Sequence, residues 1–196
     1  MEKLVHIKSS AIPMPIENID TDQIIPARFL KAITREGFGE NLFRDWRYDK
    51  QGNPIADFVL NHDTYSGSVL VAGKNFGCGS SREHAAWSLH DFGFRIIISS
   101  FFADIFKSNA LNNGLLPITV KDEALDYIFS CIESDPNHVL EIDIASQKLI
   151  IDENLWISFE LDEYKKECLL KGYDDIDFLL SITEEIESFE KQQVIF

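Results

Sequence analysis

The sequence predicts an α/β fold with a mainly parallel central sheet, flanked by helices and by antiparallel strands. Three observations lead to this class. Largely apolar runs at 68–73 and 95–100 alternate with helical patterns, and a third run at 116–120 repeats the unit. Such a strand, helix, strand order is typical of parallel sheets. The stretches 139–146 and 149–162 instead alternate apolar and polar residues, which predicts two half-exposed antiparallel strands.

The first quarter of the chain combines one strand with a long irregular segment. LVHIKSSAI, residues 4–12, predicts an opening strand, and the turn-rich PIENIDTDQIIP follows it. From Arg28 to Asn53 the pattern is irregular and is interrupted by Gly37, Gly39 and Gly52. We therefore expect a long loop with short helical pieces, and loops this long in compact domains are usually functional or disordered.

Helical periodicity recurs from residue 81 onward. The first helix, SREHAAWSLHDF, has Ala85, Ala86 and Leu89 on one face and Gly93 as its C-terminal stop. Further helices are predicted at 101–113, 122–134, 163–171 and 175–190. Because no repeat, low-complexity tract or clear linker interrupts the chain, we expect one domain over residues 1–196.

The composition indicates a globular protein, and we expect it in the cytoplasm. A length of 196 residues is enough to bury a core, and 45% hydrophobic with 12% aromatic residues argue against disorder. No apolar run reaches the roughly 18 residues that span a bilayer. The first ten residues, MEKLVHIKSS, lack the apolar segment of a secretory signal.

Cysteine and histidine spacing argues against a metal site in this chain. The three cysteines, Cys78, Cys131 and Cys168, are far apart and form no C-x-x-C pair, which fits a reducing compartment. The five histidines show no i, i+4 ligand pair. We therefore expect no metal ligand here, so any metal chemistry would come from another chain.

Charge is distributed unevenly along the chain. The net charge of −15 disfavours nucleic acid and anionic membranes as partners. Residues 121–196 hold 20 acidic and 6 basic residues, whereas all six arginines lie within residues 1–120. A solvated acidic surface explains the excess of acidic residues in the C-terminal part. A site for a small anion would explain why all the arginines lie in the first 120 residues.

The densest group of reactive residues is NFGCGSSREHAAW, residues 75–87, directly after the predicted strand 68–73. Its simplest interpretation is a capping box in which Ser80 and Glu83 open a helix. Arg82 fits that interpretation poorly, because a cation in the first turn opposes the helix dipole. An anion held between Arg82 and free backbone N–H groups would account for it, so we predict a carboxylate or phosphate site.

Other interpretations of this stretch are weaker. A G-x-S-x-G nucleophile elbow would need serine where Gly79 stands. The dinucleotide pattern G-x-G-x-x-G meets Arg82 at its third glycine, and the P-loop pattern is absent. A cysteine beside a helix start can be an activated thiolate, but a small buried residue explains Cys78 as well and is the interpretation we favour.

Two motifs carry a resemblance to a known family. GCGSSREHA, residues 77–85, closely resembles the G-x-G-S-S-R-E-H-A signature of the small swivelling domain of the aconitase superfamily. NIDTDQIIPARFL, residues 18–30, resembles the D-T-D-x-I-I-P-x-R-[YF]-L segment of its free-standing members. Length, motif order and the FGE-LF-DWR stretch within residues 38–47 are most similar to the small subunits of 3-isopropylmalate dehydratases.

This resemblance implies a fold, a reaction and a partner. The fold would be a single swivelling β/β/α domain of the aconitase C-terminal type. The reaction would be a hydro-lyase isomerisation in which a hydroxy acid is dehydrated and then rehydrated at the neighbouring carbon, here in leucine biosynthesis. The [4Fe–4S] cluster of such enzymes lies in the large subunit, so we expect a heterodimer or heterotetramer with that subunit and no cofactor bound by this chain.

The same resemblance implies roles for individual residues. Ser80 would be the catalytic base, Arg82 would bind a substrate carboxylate, and Ser81 would supply a neighbouring hydroxyl or N–H group. The loop carrying Arg28, Lys31 and Arg35 would approach the variable group of the substrate. A surrounding set would orient the serine loop; it comprises Gly79, Glu83 and His84. Asp20 and Asp22 are interpreted as turn and scaffold residues.

Two rival functions remain open at this stage. The same chemistry could act on homoaconitate or citramalate, and on homoaconitate Lys31 and Arg35 could serve the third carboxylate. Alternatively, the chain could be a carboxylate-binding module without serine chemistry.

Overall fold

The computed structural model describes residues 1–31 and 34–192. A seven-stranded sheet in the order β4-β3-β2-β1-β5-β6-β7 forms its centre. The strands are β1 His6–Met14, β2 Val69–Ala72, β3 Ile96–Ser99, β4 Leu116–Thr119, β5 Val139–Asp143, β6 Lys148–Ile150 and β7 Trp156–Ser158. Strands β1 to β4 are parallel, and β5 to β7 are antiparallel. The predicted fold class is confirmed.

Helices cover the sheet and close the chain. They are α1 Thr21–Ile24, α2 Arg44–Arg47, α3 Glu83–Phe92, α4 Asp104–Asn112, α5 Asp122–Ser134, α6 Glu163–Lys171, α7 Asp175–Ser181 and α8 Thr183–Gln192. Short 3₁₀ turns at Ala27–Phe29 and Phe38–Asn41 give the irregular segment the short helical pieces that were expected. Within residues 1–31 and 34–192, no helix combines the length and apolarity needed to cross a membrane.

Strands β2 and β3 are buried along their whole length, which explains their mostly apolar sequences. Leu70 and Ala72 of β2 belong to one apolar cluster, which also contains buried side chains of α3 and α4. Val69 and Val71, on the opposite face, belong to a second cluster that includes residues of α5. The sheet is therefore the middle layer between two cores, and α3 and α4 lie on the same side of it.

The predicted strand over 149–162 is wrong in its extent, because the chain forms a hairpin of β6 and β7 there. The Asp152 carboxylate accepts hydrogen bonds from the backbone N–H groups of Asn154 and Leu155, at 2.7 and 2.9 Å. An aspartate that binds the backbone two residues ahead closes a turn, and this turn reverses the chain.

The C-terminal helical region also differs from expectation. The helix predicted over 175–190 is divided into α7 and α8, with Ile182 as the C-cap of α7. Both helices expose large apolar side chains, namely Ile176, Leu179, Leu180, Ile186 and Phe189. The acidic C-terminal part is therefore more than a uniformly polar, solvated surface.

Candidate functional site

Three loops meet at the carboxyl edge of the parallel strands, where open α/β sheets commonly bind ligands. They are residues 15–20 after β1, 73–82 after β2 and 100–103 after β3. The Gly77 N–H group donates to the Ile19 carbonyl at 2.8 Å, and the Phe76 N–H group donates to the Phe101 carbonyl at 3.1 Å. The glycine-rich loop is therefore held by backbone hydrogen bonds from both sides.

Two glycines allow this loop to pass close to its neighbours. Gly77 has φ +75°, and a Cβ atom there would lie 2.2 Å from Cγ of the buried Phe106. Gly79 has φ +91°, and its Cβ would lie 3.3 Å from Cβ of Asp20. Any other residue would be strained by the left-handed backbone at either position and would also crowd its neighbour.

The loops enclose a cavity of about 220 Å³ beside Ser80. Its lining residues are Thr21, Gly77, Gly79, Ser80, Arg82 and residues 103–106. Ser80 is exposed there, and among the described residues none hydrogen-bonds its hydroxyl. The cavity is smaller than ordinary ligand pockets, which occupy about 300–1,000 Å³, so by itself it resembles part of a site.

Two helices begin at this cavity without a side-chain cap. Arg82 is the N-cap residue of α3 and Ala103 is that of α4, and neither of these two side chains caps its helix. Uncapped N–H groups and the positive end of the helix dipole favour a bound anion. The capping box predicted for Ser80 and Glu83 is wrong, because α3 begins two residues later than that box requires.

Arg82 is a partly buried cation at the cavity wall. Its side chain is 15% exposed and forms an ion pair with the Asp22 carboxylate through Nη1. That nitrogen is buried and makes no hydrogen bond of good geometry. In the described part of the chain no group hydrogen-bonds its Nε or Nη2 atoms, so the rest of the guanidinium can contact a ligand.

The cavity also contains negative charge. Asp104, in the first turn of α4, lines it, and Asp22 already balances the charge of Arg82. An anion with two charges would therefore find too little positive charge in this chain alone.

The other residues predicted around Ser80 occupy different positions; they are Ser81, Glu83 and His84. Ser81 is exposed and lies between Ser80 and Arg82 without lining the cavity. The Glu83 carboxylate has its hydrogen-bond partners outside the serine loop. That carboxylate accepts from Asn113 Nδ2 at 3.0 Å and Trp87 Nε1 at 3.3 Å, which ties the start of α3 to the end of α4. The His84 ring packs against Phe38 and Trp87.

Arg28, Lys31 and Arg35 do not line this cavity, and their predicted contacts with the substrate stay a prediction. Arg28 instead donates a bidentate pair of hydrogen bonds to Asp45, and these hydrogen bonds lower the pKa of the Asp45 carboxyl. The Arg35 guanidinium lies 5.0 Å from the centre of the Trp87 ring. Lys31 is exposed, and Ala32 and Ile33 of this segment lie outside the described residues.

The surroundings of Cys78 disfavour an activated thiol. Burial and the nearby Asp20 carboxylate raise the pKa of its thiol above the usual value, which disfavours the reactive thiolate. Its side chain is only partly buried, so its interpretation as a small buried packing residue stays a prediction. Among the described residues, no three histidine, cysteine, aspartate or glutamate side chains are grouped so that they could hold a metal ion.

Two contributors to the site have contacts that the sequence analysis did not predict. The Thr21 hydroxyl donates to the Ser80 carbonyl at 2.8 Å, and Asp22 pairs with Arg82. Both belong to the D-T-D motif, so the only available signal was that the two recognised motifs belong to one family. A larger cleft of about 1080 Å³, between the ends of β4 and β7, contains none of the predicted site residues.

Comparison with known proteins is decisive for the family. The family model described as aconitase C-terminal domain matches residues 1–123. The small subunit of 3-isopropylmalate dehydratase from Christiangramia forsetii is 60% identical over 194 residues, which is 98% of this chain and 95% of the relative. The corresponding subunit from Cytophaga hutchinsonii is 59% identical, with 97% and 96% covered. The chain belongs to the 3-isopropylmalate dehydratase small-subunit family.

A solved structure of the family supports the fold as well. The crystal structure of a 3-isopropylmalate dehydratase from Methanocaldococcus jannaschii is 28% identical, with a TM-score of 0.65 over 95% of this chain and 99% of that chain. The aconitase C-terminal match contains the whole cavity, whereas β5 to β7 and α6 to α8 follow its end. The small-subunit relatives cover both parts, so the C-terminal third is common to this family.

We expect Gly79→Ala to impair the site more than the same change at a remote glycine. Alanine in the left-handed region should cost about 1–2 kcal/mol of unfolding free energy. Gly52 is the matched control, because it has φ +86° and a Cβ atom there would meet nothing within 4 Å. Both variants should therefore lose stability in urea unfolding, Gly79→Ala at least as much as Gly52→Ala, but only Gly79→Ala should lower kcat several-fold. Equal activities would show that residue 79 does not help to place Ser80.

Proposed function

We propose that this chain is the small subunit of a 3-isopropylmalate dehydratase. Together with a large subunit it would interconvert 2-isopropylmalate and 3-isopropylmalate through 2-isopropylmaleate, in leucine biosynthesis. The observation that carries this proposal is that Ser80 and Arg82 line one cavity, at which two uncapped helices begin. The names of relatives that are 46–60% identical point to the same activity.

Three residues in or beside the cavity have roles in this proposed reaction. Arg82 binds a substrate carboxylate through its unshared nitrogens, and the N–H groups at the start of α3 add hydrogen bonds to the same anion. Ser80 accepts the proton from the carbon next to a carboxylate. Ser81 contributes a hydroxyl or N–H group at the entrance, where it is exposed.

The energetics of Ser80 require a partner. A hydroxyl similar to water has a pKa near ~15.7, so bringing it close to neutrality costs about 11 kcal/mol at ~1.36 kcal/mol per pKa unit. A helix N-terminus contributes up to ~2 kcal/mol and a charged hydrogen bond ~1.5–3 kcal/mol. The shortfall, the small cavity volume and the charge balance of Arg82 by Asp22 all support a site completed by the large subunit.

The iron–sulfur cluster expected of this superfamily does not fit the donors of this chain. Cys78 follows β2, Cys131 is in α5 and Cys168 is in α6, so the three free thiols belong to separate elements. We therefore assign the cluster to the large subunit. The contribution of this chain is to bind, orient and deprotonate the substrate.

We also propose that the whole chain is one swivelling domain and that it acts in the cytoplasm. Strands β5 to β7 continue the sheet that the aconitase-type strands begin, which supports a single domain. Three free cysteines agree with a reducing compartment such as the cytoplasm.

Isopropylmalate is favoured over homoaconitate or citramalate as the substrate. The rival on a tricarboxylate depended on Lys31 and Arg35, and neither lines the cavity. The names of the relatives also favour isopropylmalate.

We expect activity only when the two subunits are mixed. The purified small subunit should neither hydrate 2-isopropylmaleate nor contain stoichiometric iron, and adding an iron-loaded large subunit should restore hydration. The absorbance of the conjugated alkene measures the rate, and iron analysis of each subunit locates the metal. Full activity from this chain alone would refute the proposal. A reconstituted complex that accepted citramalate but not isopropylmalate would transfer the assignment to the rival substrate.

A further inference from the structure

We infer that Thr21 is a positioning residue that fixes the orientation of Ser80, an inference that rests on the catalytic role proposed above for Ser80. Thr21 is 2% exposed and lines the cavity. Its hydroxyl donates to the Ser80 carbonyl at 2.8 Å, across 59 residues of sequence. Its backbone N–H group donates to the Cys78 carbonyl, also at 2.8 Å.

These two hydrogen bonds hold the loop on either side of Gly79. Gly79 lies between the two accepting residues and has φ +91°, in a region that glycine enters and leaves easily. A Cβ at Gly79 would lie 3.5 Å from the Thr21 hydroxyl, so this part of the loop curls closely around Thr21. Without the hydroxyl, the Ser80 carbonyl would lose the side-chain anchor that α1 provides.

Thr21 itself stands on a locally fixed support. It is the first residue of α1, whose N-cap Asp20 accepts from the Gln23 N–H group at 2.9 Å. Gln23 Oε1 accepts in return from the Asp20 N–H group at 2.8 Å. This reciprocal capping box restrains the turn from which the Thr21 hydroxyl points, so the hydroxyl acts as a rigid anchor.

Neighbouring residues of this turn support different halves of the site. Thr21 contacts the backbone of Ser80, whereas Asp22 contacts the guanidinium of Arg82. A fault at Thr21 should therefore disturb proton transfer more than substrate binding. Misplacing a reacting group by about 1 Å can cost on the order of 100-fold in rate, and a loosened loop should show part of that loss.

The test compares Thr21→Val with Thr21→Ser in the reconstituted enzyme. Valine keeps the shape but removes the donor, and serine keeps the donor. We expect Thr21→Val to lower kcat about 10-fold with KM within about 2-fold, and Thr21→Ser to stay near the wild-type value. Thr183→Val is the control, because its exposed hydroxyl donates to the Leu180 carbonyl at the same distance of 2.8 Å but far along the chain from the site.

A second readout separates positioning from general damage. With substrate deuterated at the transferred position, the primary isotope effect on kcat should increase in Thr21→Val, because proton transfer then limits the rate more. Equal losses in the valine and serine variants, or a loss confined to KM or to subunit assembly, would overturn the inference. If Thr21→Val fails to fold, Thr21→Ala supplies the same comparison. Ser80→Ala is measured in parallel: if it remained active, the base role itself would fail, whereas an inactive Ser80→Ala with an unaffected Thr21→Val rejects only the positioning role.

Discussion

Replacing Ser80 with alanine is expected to lower kcat of the assembled enzyme by about 10²–10⁴-fold, while KM changes little. A group that transfers a proton in the transition state typically contributes a factor of this size. Ser80 is exposed at the cavity, and in the described part of the chain its hydroxyl makes no hydrogen bond that a mutation would break. The loss should therefore appear in the chemical step rather than in the folding of the subunit.

Steady-state rates in both directions of the isomerisation provide the measurement. Ser181→Ala is a suitable control, because its exposed hydroxyl donates only to the Phe178 carbonyl in α7. Urea unfolding of both variants should match that of the wild type. Activity of Ser80→Ala within a few-fold of the wild type would remove Ser80 from the base role, and retained binding with no effect on rate would favour a module that only binds carboxylates.

The central sheet could be predicted because its signals are local. Buried four-residue strands such as β2 and β3 are almost wholly apolar, and the predicted bounds of α5 match the structure. Helix starts were less predictable. The helix expected from residue 101 begins at Asp104, because residues 101–103 pair with Phe76 of the glycine-rich loop through backbone hydrogen bonds. That contact joins two loops that are 25 or more residues apart in the chain. It produces no periodic pattern of apolar residues in either loop from which it could have been predicted.

The site was only partly predictable for the same reason. Ser80 and Arg82 lie in one compact motif whose residue types conflict with an ordinary helix start. Their supports, Thr21 and Asp22, lie about 60 residues away in the chain, so only the fold brings them together. Local sequence pattern likewise did not reveal that Asp45, 17 residues further along the chain, pairs with Arg28 on the surface.

Replacing Arg82 with lysine is expected to weaken the binding of a dicarboxylate inhibitor about 10–100-fold. In the structure the guanidinium divides its nitrogens, with Nη1 on Asp22 and the others available to a ligand. A lysine ammonium is a single point charge and cannot hold Asp22 while also forming a bidentate contact with a carboxylate. Hydrogen bonds to charged groups contribute about 1.5–3 kcal/mol each, which sets the size of the loss.

Inhibition constants for the reconstituted enzyme provide the measurement, with Arg44→Lys as the control. Arg44 lies over the Tyr48 ring at 3.9 Å and does not line the cavity, so its variant should bind the inhibitor normally. The comparison should be repeated with a monocarboxylate of similar shape. If Arg82 binds the carboxylate that both inhibitors carry, Arg82→Lys should weaken the binding of both. If it binds the carboxylate that only the dicarboxylate carries, the binding of the dicarboxylate alone should weaken. Unchanged affinity for both would mean that Arg82 serves only to hold Asp22, and that the substrate carboxylates are bound by the helix starts and the large subunit.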